Sequence, residues 1–108
     1  MSIRKRRNDR NHLIYLITCN VTDERYIGVT VMLKTAKTKT LKQRWSGHVY
    51  KALVAGEKWT LPKAIRKYGP ENFTIEALDI VRGKKDAFAR EAELINEWGT
   101  ELNTRKKQ

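Results

Sequence analysis

The sequence predicts a single α+β domain of order β-β-α-α-β-α, and three observations carry that expectation. Hydrophobic residues make up 40% of the 108 residues and recur in periodic runs, which marks a folded chain and not a disordered one. The period switches along the chain, from short apolar runs that suit strands to three- and four-residue spacing that suits helices. Turn and cap residues punctuate each switch. A chain of this length supports one modest core.

Residues 1–11 form a polar, basic arm that includes Arg4, Lys5, Arg6 and Arg7. Residues 12–19 (HLIYLITC) read as a strand that is apolar on both faces, which places it at the centre of its sheet. Asn20, Thr22 and Asp23 supply turn chemistry, and residues 25–30 (RYIGVT) return as the second strand of a hairpin. Residues 31–40 (VMLKTAKTKT) read as an irregular loop carrying Lys34, Lys37 and Lys39. A helix follows, with Leu41, Trp45, Val49, Ala52 and Leu53 on one stripe and Gly56 to stop it. The next helix has Thr60 as its cap, Pro62 in its first turn and Gly69-Pro70 at its end. Leu61, Ala64, Ile65 and Tyr68 are its apolar stripe. Residues 72–81 (NFTIEALDIV) are the third strand, Gly83 breaks it, and residues 85–98 are the last helix. A basic tail closes the chain. No repeat and no interdomain linker divides residues 12–104.

The charge narrows the partner. Lys and Arg number 23 against 12 Asp and Glu, a formal net charge of +11. That excess seeks a polyanion, most simply nucleic acid. An anionic membrane would need a basic amphipathic helix with apolar surface to spare, and no helix here has it. The longest apolar stretch, Leu13 to Ile17, is far too short to span a bilayer. It is also too short for a secretory signal, and no small-residue cleavage pattern follows. Cys19 is the only cysteine, which excludes a disulfide framework and a cysteine zinc cluster. A free thiol fits a reducing, cytoplasmic setting.

Five side chains stand out chemically. On the last helix Ala87, Phe88, Ala92, Leu94, Ile95 and Trp98 fall in one arc, and Glu91 lies near its middle. A carboxylate on a core-facing stripe is costly without a partner. Either a buried arginine pairs with it, or it points into a cleft and holds a divalent cation together with water and phosphate. Arg44 and His48 are one helical turn apart and flank the apolar stripe of their helix. A guanidinium can clamp a phosphate, and an imidazole can move a proton; a surface arginine and a structural histidine are the plain alternative. Tyr15 and Tyr26 lie on the two hairpin strands, where tyrosines usually serve packing.

Taken in order, these residues resemble the GIY-YIG nuclease family. Leu13-Ile14-Tyr15 matches the Ile-Tyr of the first signature, and Tyr26-Ile27-Gly28 matches the second in full, followed by Val29-Thr30. Arg44-Trp45 and His48 match the first helix. Leu61, Ala64-Ile65, Lys67-Tyr68-Gly69 and Glu71-Asn72-Phe73 match the second helix and the entry to the third strand. Arg90-Glu91 with Ile95 matches the glutamate helix, and Thr100 with Leu102-Asn103 the closing segment. The resemblance covers residues 12 to 104. Leu13 replaces the signature glycine, at a position without catalytic side-chain chemistry. The connection between Thr30 and Leu41 is longer and more basic than usual, and Leu102 stands where tyrosine is common.

The resemblance implies a small three-stranded antiparallel sheet flanked by helices, with a cleft on one sheet face. It implies a metal-dependent DNA endonuclease, of the homing type by analogy with small freestanding members. Glu91 would hold one Mg²⁺ or Mn²⁺ ion, Arg44 would neutralise the scissile phosphate, and Tyr15, with Tyr26 beside it, would orient and deprotonate the attacking water. His48 would assist the phenol, and Asn103 would steady the metal end of the site. Products would be a 5′-phosphate and a 3′-hydroxyl. Lys34, Lys37, Lys39, Lys42, Arg44 and Lys67 are the expected contacts to double-stranded DNA, where phosphate contacts position without reading sequence. One metal site cuts one strand per visit, so a homodimer on DNA is one route to a double-strand break. A non-catalytic nucleic-acid-binding module on the same fold is the rival from another class, and a basic RNA-binding structural protein is a second, since Tyr15 and Tyr26 could imitate an aromatic sheet face.

Overall fold

The computed structural model describes residues 10–32 and 36–103. Lys34, most of the basic arm and the basic tail lie outside the described residues. The chain forms β1 (Asn11–Cys19), β2 (Arg25–Val31), α1 (Lys37–Leu53), α2 (Thr60–Tyr68), β3 (Phe73–Arg82) and α3 (Lys84–Trp98), with short 3₁₀ turns at Pro70–Asn72 and Glu101–Asn103. The three strands make one antiparallel sheet in the order β2-β1-β3. This is the α+β architecture expected from the sequence.

β1 is central, as its two apolar faces require, and alternation along it feeds two separate cores. Tyr15, Ile17 and Cys19 point to one side and pack with Ala52 of α1 and with Leu61, Ala64 and Ile65 of α2. Ile14 and Leu16 point to the other side and pack, with Ile27 of β2, against Leu94 of α3. Helices therefore cover both sheet faces. A register shift between Ile14 and Tyr15 against β3 interrupts the ladder beside the site described below. Among the described residues no helix is long and apolar enough to cross a membrane.

Several sequence expectations need correction. α1 begins at Lys37, inside the stretch read as a loop. Lysine is a good helix former, and the amide and hydroxyl of Thr40 both donate to the Ala36 carbonyl, at 2.9 and 2.8 Å. A first turn of Lys and Thr has no apolar period to announce it. Thr60 is not the cap of α2 but its first residue; the cap position is Trp59, in extended conformation. Leu53 and Phe88 are 54% and 45% exposed, and Ala92 is exposed as well. A three-stranded sheet is only about 10 Å across, so each helix buries a narrow stripe. On α3 that stripe is Ala87 and Leu94, with Ile95 and Trp98 half-covered.

Candidate active site

The site is assembled on the Tyr15 side of the sheet. Tyr15 pairs directly across the hairpin with Gly28, and its ring lies over that glycine. A Cβ added at Gly28 would strike the Tyr15 hydroxyl and sit 2.5 Å from its Cζ. Only glycine leaves the phenol room to reach α1. There its oxygen accepts a hydrogen bond from Arg44 Nε at 2.9 Å and lies 2.9 Å from His48 Nε2. A guanidinium only donates, and a fully buried hydroxyl needs an acceptor. The phenol therefore donates to His48 Nε2, which puts the imidazole proton on Nδ1. The spacing of Arg44 and His48, one turn apart, brings both to one oxygen.

Aromatic rings close the cluster. Tyr26 lies 6.3 Å from Tyr15 and 5.6 Å from His48, centroid to centroid, and the indole of Trp59 lies 5.9 Å from Tyr26 on another side. Trp59 is anchored by its Nε1, which donates to Glu57 Oε1 at 2.8 Å. Burial dominates the electrostatics. It pushes the Tyr15 hydroxyl well above the ordinary phenol range; the neighbouring Tyr26 adds to this, while the charge and hydrogen bond of Arg44 oppose it. Burial also pushes His48 down to about 3, helped by the positive charges of Arg44 and Lys51. The resting pair is thus a neutral phenol and a neutral imidazole across the working pH range.

Glu91 comes from α3, the layer on the opposite sheet face, so the site draws on both layers instead of one face alone. Its charge acts on Tyr15, raising the phenol a little further. The carboxylate is half-buried, and burial raises its own pKa. The ion pairs among the described residues run from Arg90 to Asp79 and Glu93, leaving Glu91 without a cationic partner. No group of three or more His, Cys, Asp or Glu side chains converges there among the described residues. A half-buried carboxylate with no protein cation suits a magnesium-type ion, which is commonly held by one or two carboxylates with water and phosphate oxygens. Among the described residues Glu91 forms no ion pair.

The GIY-YIG catalytic domain matches residues 11–106, nearly the whole chain. The chain belongs to the GIY-YIG family. Its class is accordingly that of a nuclease domain. Two solved structures share its fold. The catalytic domain of homing endonuclease I-TevI is 21% identical with a TM-score of 0.64, over 85% of this chain and 92% of that one. A mutant of the catalytic domain of intron endonuclease I-TevI is 19% identical with a TM-score of 0.66, over 89% and 92%. No curated protein sequence matches.

Within this GIY-YIG domain, Tyr15, Tyr26, Arg44 and His48 converge. Asn103 makes its hydrogen bonds to the backbone of β2 and to Thr100. Its amide accepts from the Ile27 N–H and donates to the Ile27 carbonyl, both at 2.8 Å, and Thr100 donates to its Oδ1. Asn103 thus completes the outer edge of β2 between Tyr26 and Gly28. Lys37 projects on the Arg44 side of α1, while Lys39 and Lys42 fall on the far side. Lys67 is exposed on α2, its ammonium 5.4 Å from the Tyr68 ring centroid. Three contributors were not singled out in the sequence: the steric role of Gly28, Trp59 against Tyr26, and Lys51 beside His48. Lys51 alone carried a signal, lying seven residues from Arg44.

Proposed function

We propose that this GIY-YIG domain is a metal-dependent DNA endonuclease of the homing type that hydrolyses phosphodiester bonds. The carrying observation is Glu91, half-buried and without a cationic partner among the described residues, close enough to the Arg44–Tyr15–His48 cluster for its charge to act on the phenol. The I-TevI catalytic domains of the same fold belong to a homing or intron endonuclease, which supports the same class of activity.

A Mg²⁺ or Mn²⁺ ion held by Glu91 would polarise the scissile phosphate and stabilise the leaving 3′ oxygen. Everything else falls to the protein. Arg44 turns its guanidinium from the Tyr15 oxygen to the non-bridging phosphate oxygens, where charge grows in the transition state. That move uncovers the Tyr15 hydroxyl, which is otherwise fully buried. Pairing Arg44 with phosphate also weakens one of the charges that hold His48 down, so the imidazole becomes a better acceptor for the phenol proton. Tyr15 then takes the proton of the attacking water, and Tyr26 orders that water from the other side. Double-stranded DNA is the substrate, and cutting the second strand calls for a second visit or a second copy.

The test is plasmid cleavage. Supercoiled DNA should be nicked or linearised with Mg²⁺ and left intact with EDTA. Glu91→Gln should lose at least about a hundredfold in rate, by analogy with loss of a key electrostatic group, yet still shift DNA on a gel. A protein that binds DNA but cuts under no divalent metal would be a binding module instead.

A further inference from the structure

α1 is unusual in its charge. Its 17 residues (KTKTLKQRWSGHVYKAL) carry Lys37, Lys39, Lys42, Arg44 and Lys51, and no Asp or Glu. Surface helices normally intersperse signs, because like charges one turn apart repel. Lysines in the first turn also oppose the positive end of the helix dipole, and no acidic residue offsets them there. The arrangement is favourable only when a polyanion lies alongside.

Three of the five cations are ordered. Lys37, Arg44 and Lys51 are spaced at seven-residue intervals, just under two turns each, so each lies roughly 20° from the next and all three fall within roughly 40° on the helix. They share one flank of the buried stripe, with His48 and Thr40 beside them. Lys37 is exposed, and Arg44 and Lys51 are half-buried. None forms an ion pair among the described residues. From Lys37 to Lys51 the helix rises about 21 Å, the axial length of about six nucleotides of one DNA strand. Arg44 stands at the midpoint.

We infer that α1 lies along one DNA strand, with Lys37 and Lys51 gripping phosphates on either side of the one Arg44 holds. Lys51 is thereby a phosphate-binding residue, and the contact is an ordered track about six nucleotides long, not a diffuse basic surface. This rests on the DNA endonuclease reading but makes its own claim about binding.

Equilibrium binding to a 20-base-pair duplex in EDTA tests it, because cleavage is then silent. The slope of log affinity against log salt should fall by about 0.9 for Lys37→Gln and again for Lys51→Gln, one released counterion each. Lys85→Gln, on an exposed position of α3 in the opposite layer, should keep the parental slope. Parental slopes in both α1 variants, or an equal fall in Lys85→Gln, would overturn the track while leaving a DNA-binding protein. Absence of DNA binding at any salt would remove the endonuclease reading and the track together. Thermal melts report whether each variant folds. Should Lys51→Gln fail to fold, Lys51→Arg must retain the full slope, and Lys37→Gln decides the outcome.

Discussion

Gly28 and Tyr15 share one cross-strand pair, so neither can change alone. Gly28→Ala forces the phenol aside or the strands apart. Overpacking of this kind costs about 1–3 kcal/mol, visible in urea unfolding, and the displaced Tyr15 should cost cleavage more than stability. An alanine variant with parental stability and rate would disprove the steric role. His48 makes a prediction about acid. Its ordinary pKa is 6.5 and its folded value is about 3, so between those values the unfolded chain takes up a proton that the folded chain refuses. The sign is therefore loss of stability as pH falls below 6.5, by up to about 1.4 kcal/mol per pH unit, with no such loss above it. Unfolding at pH 7.5 and pH 5 should show a smaller drop for His48→Asn than for the parent; equal drops would place the effect elsewhere. That Arg44 and His48 are neighbours was legible because one-turn helix spacing fixes directions locally; Tyr15 joined them only through the family resemblance. The use of Gly28 was not legible, because it depends on which residue faces it across the hairpin.

α3 brings Glu91 to the site, and β2 holds its end. Arg25, the first residue of β2, donates from Nη2 to the Trp98 carbonyl at 3.2 Å, and its guanidinium sits 5.1 Å from the Trp98 ring centroid. Its backbone N–H donates to Glu101 Oε1 at 3.2 Å. A cation on the last carbonyls of a helix is favourable. Arg25→Ala should cost about 1 kcal/mol, which in a domain of this size lowers Tm by about 4–8 °C, and should speed amide exchange in the last turn of α3 more than in α1. Uniform exchange would show that Arg25 acts on the whole fold instead. Strands and helices with apolar period were legible in the sequence to within a residue or two. The Lys-Thr turn that opens α1 was not, since a helix turn solvated on every side leaves no pattern, and Phe88 and Ala92 were misplaced because a narrow sheet covers less of α3 than its apolar arc offers.

For the molecule as a whole, the net charge of +11 pointed to a polyanion, and the ordered series of signatures pointed to the family; the structure adds the acid-free run of cations along α1 and helices on both faces of the sheet. Contacts that join residue 27 to residue 103, 76 positions apart, lay beyond any local pattern. They also tie the segment after α3 to β2. A chain cut after Gly99 would keep every strand and long helix, yet Ile27 would lose both amide partners and Arg25 would lose Glu101. Such a fragment should unfold at lower urea than one ending after residue 104, and it should cut DNA poorly even with all of Tyr15, Tyr26, Arg44, His48 and Glu91 present. Equal midpoints would refute this. A latch thus follows the last helix, and a trimmed or fused version that omits residues 100–103 should release the strand carrying Tyr26.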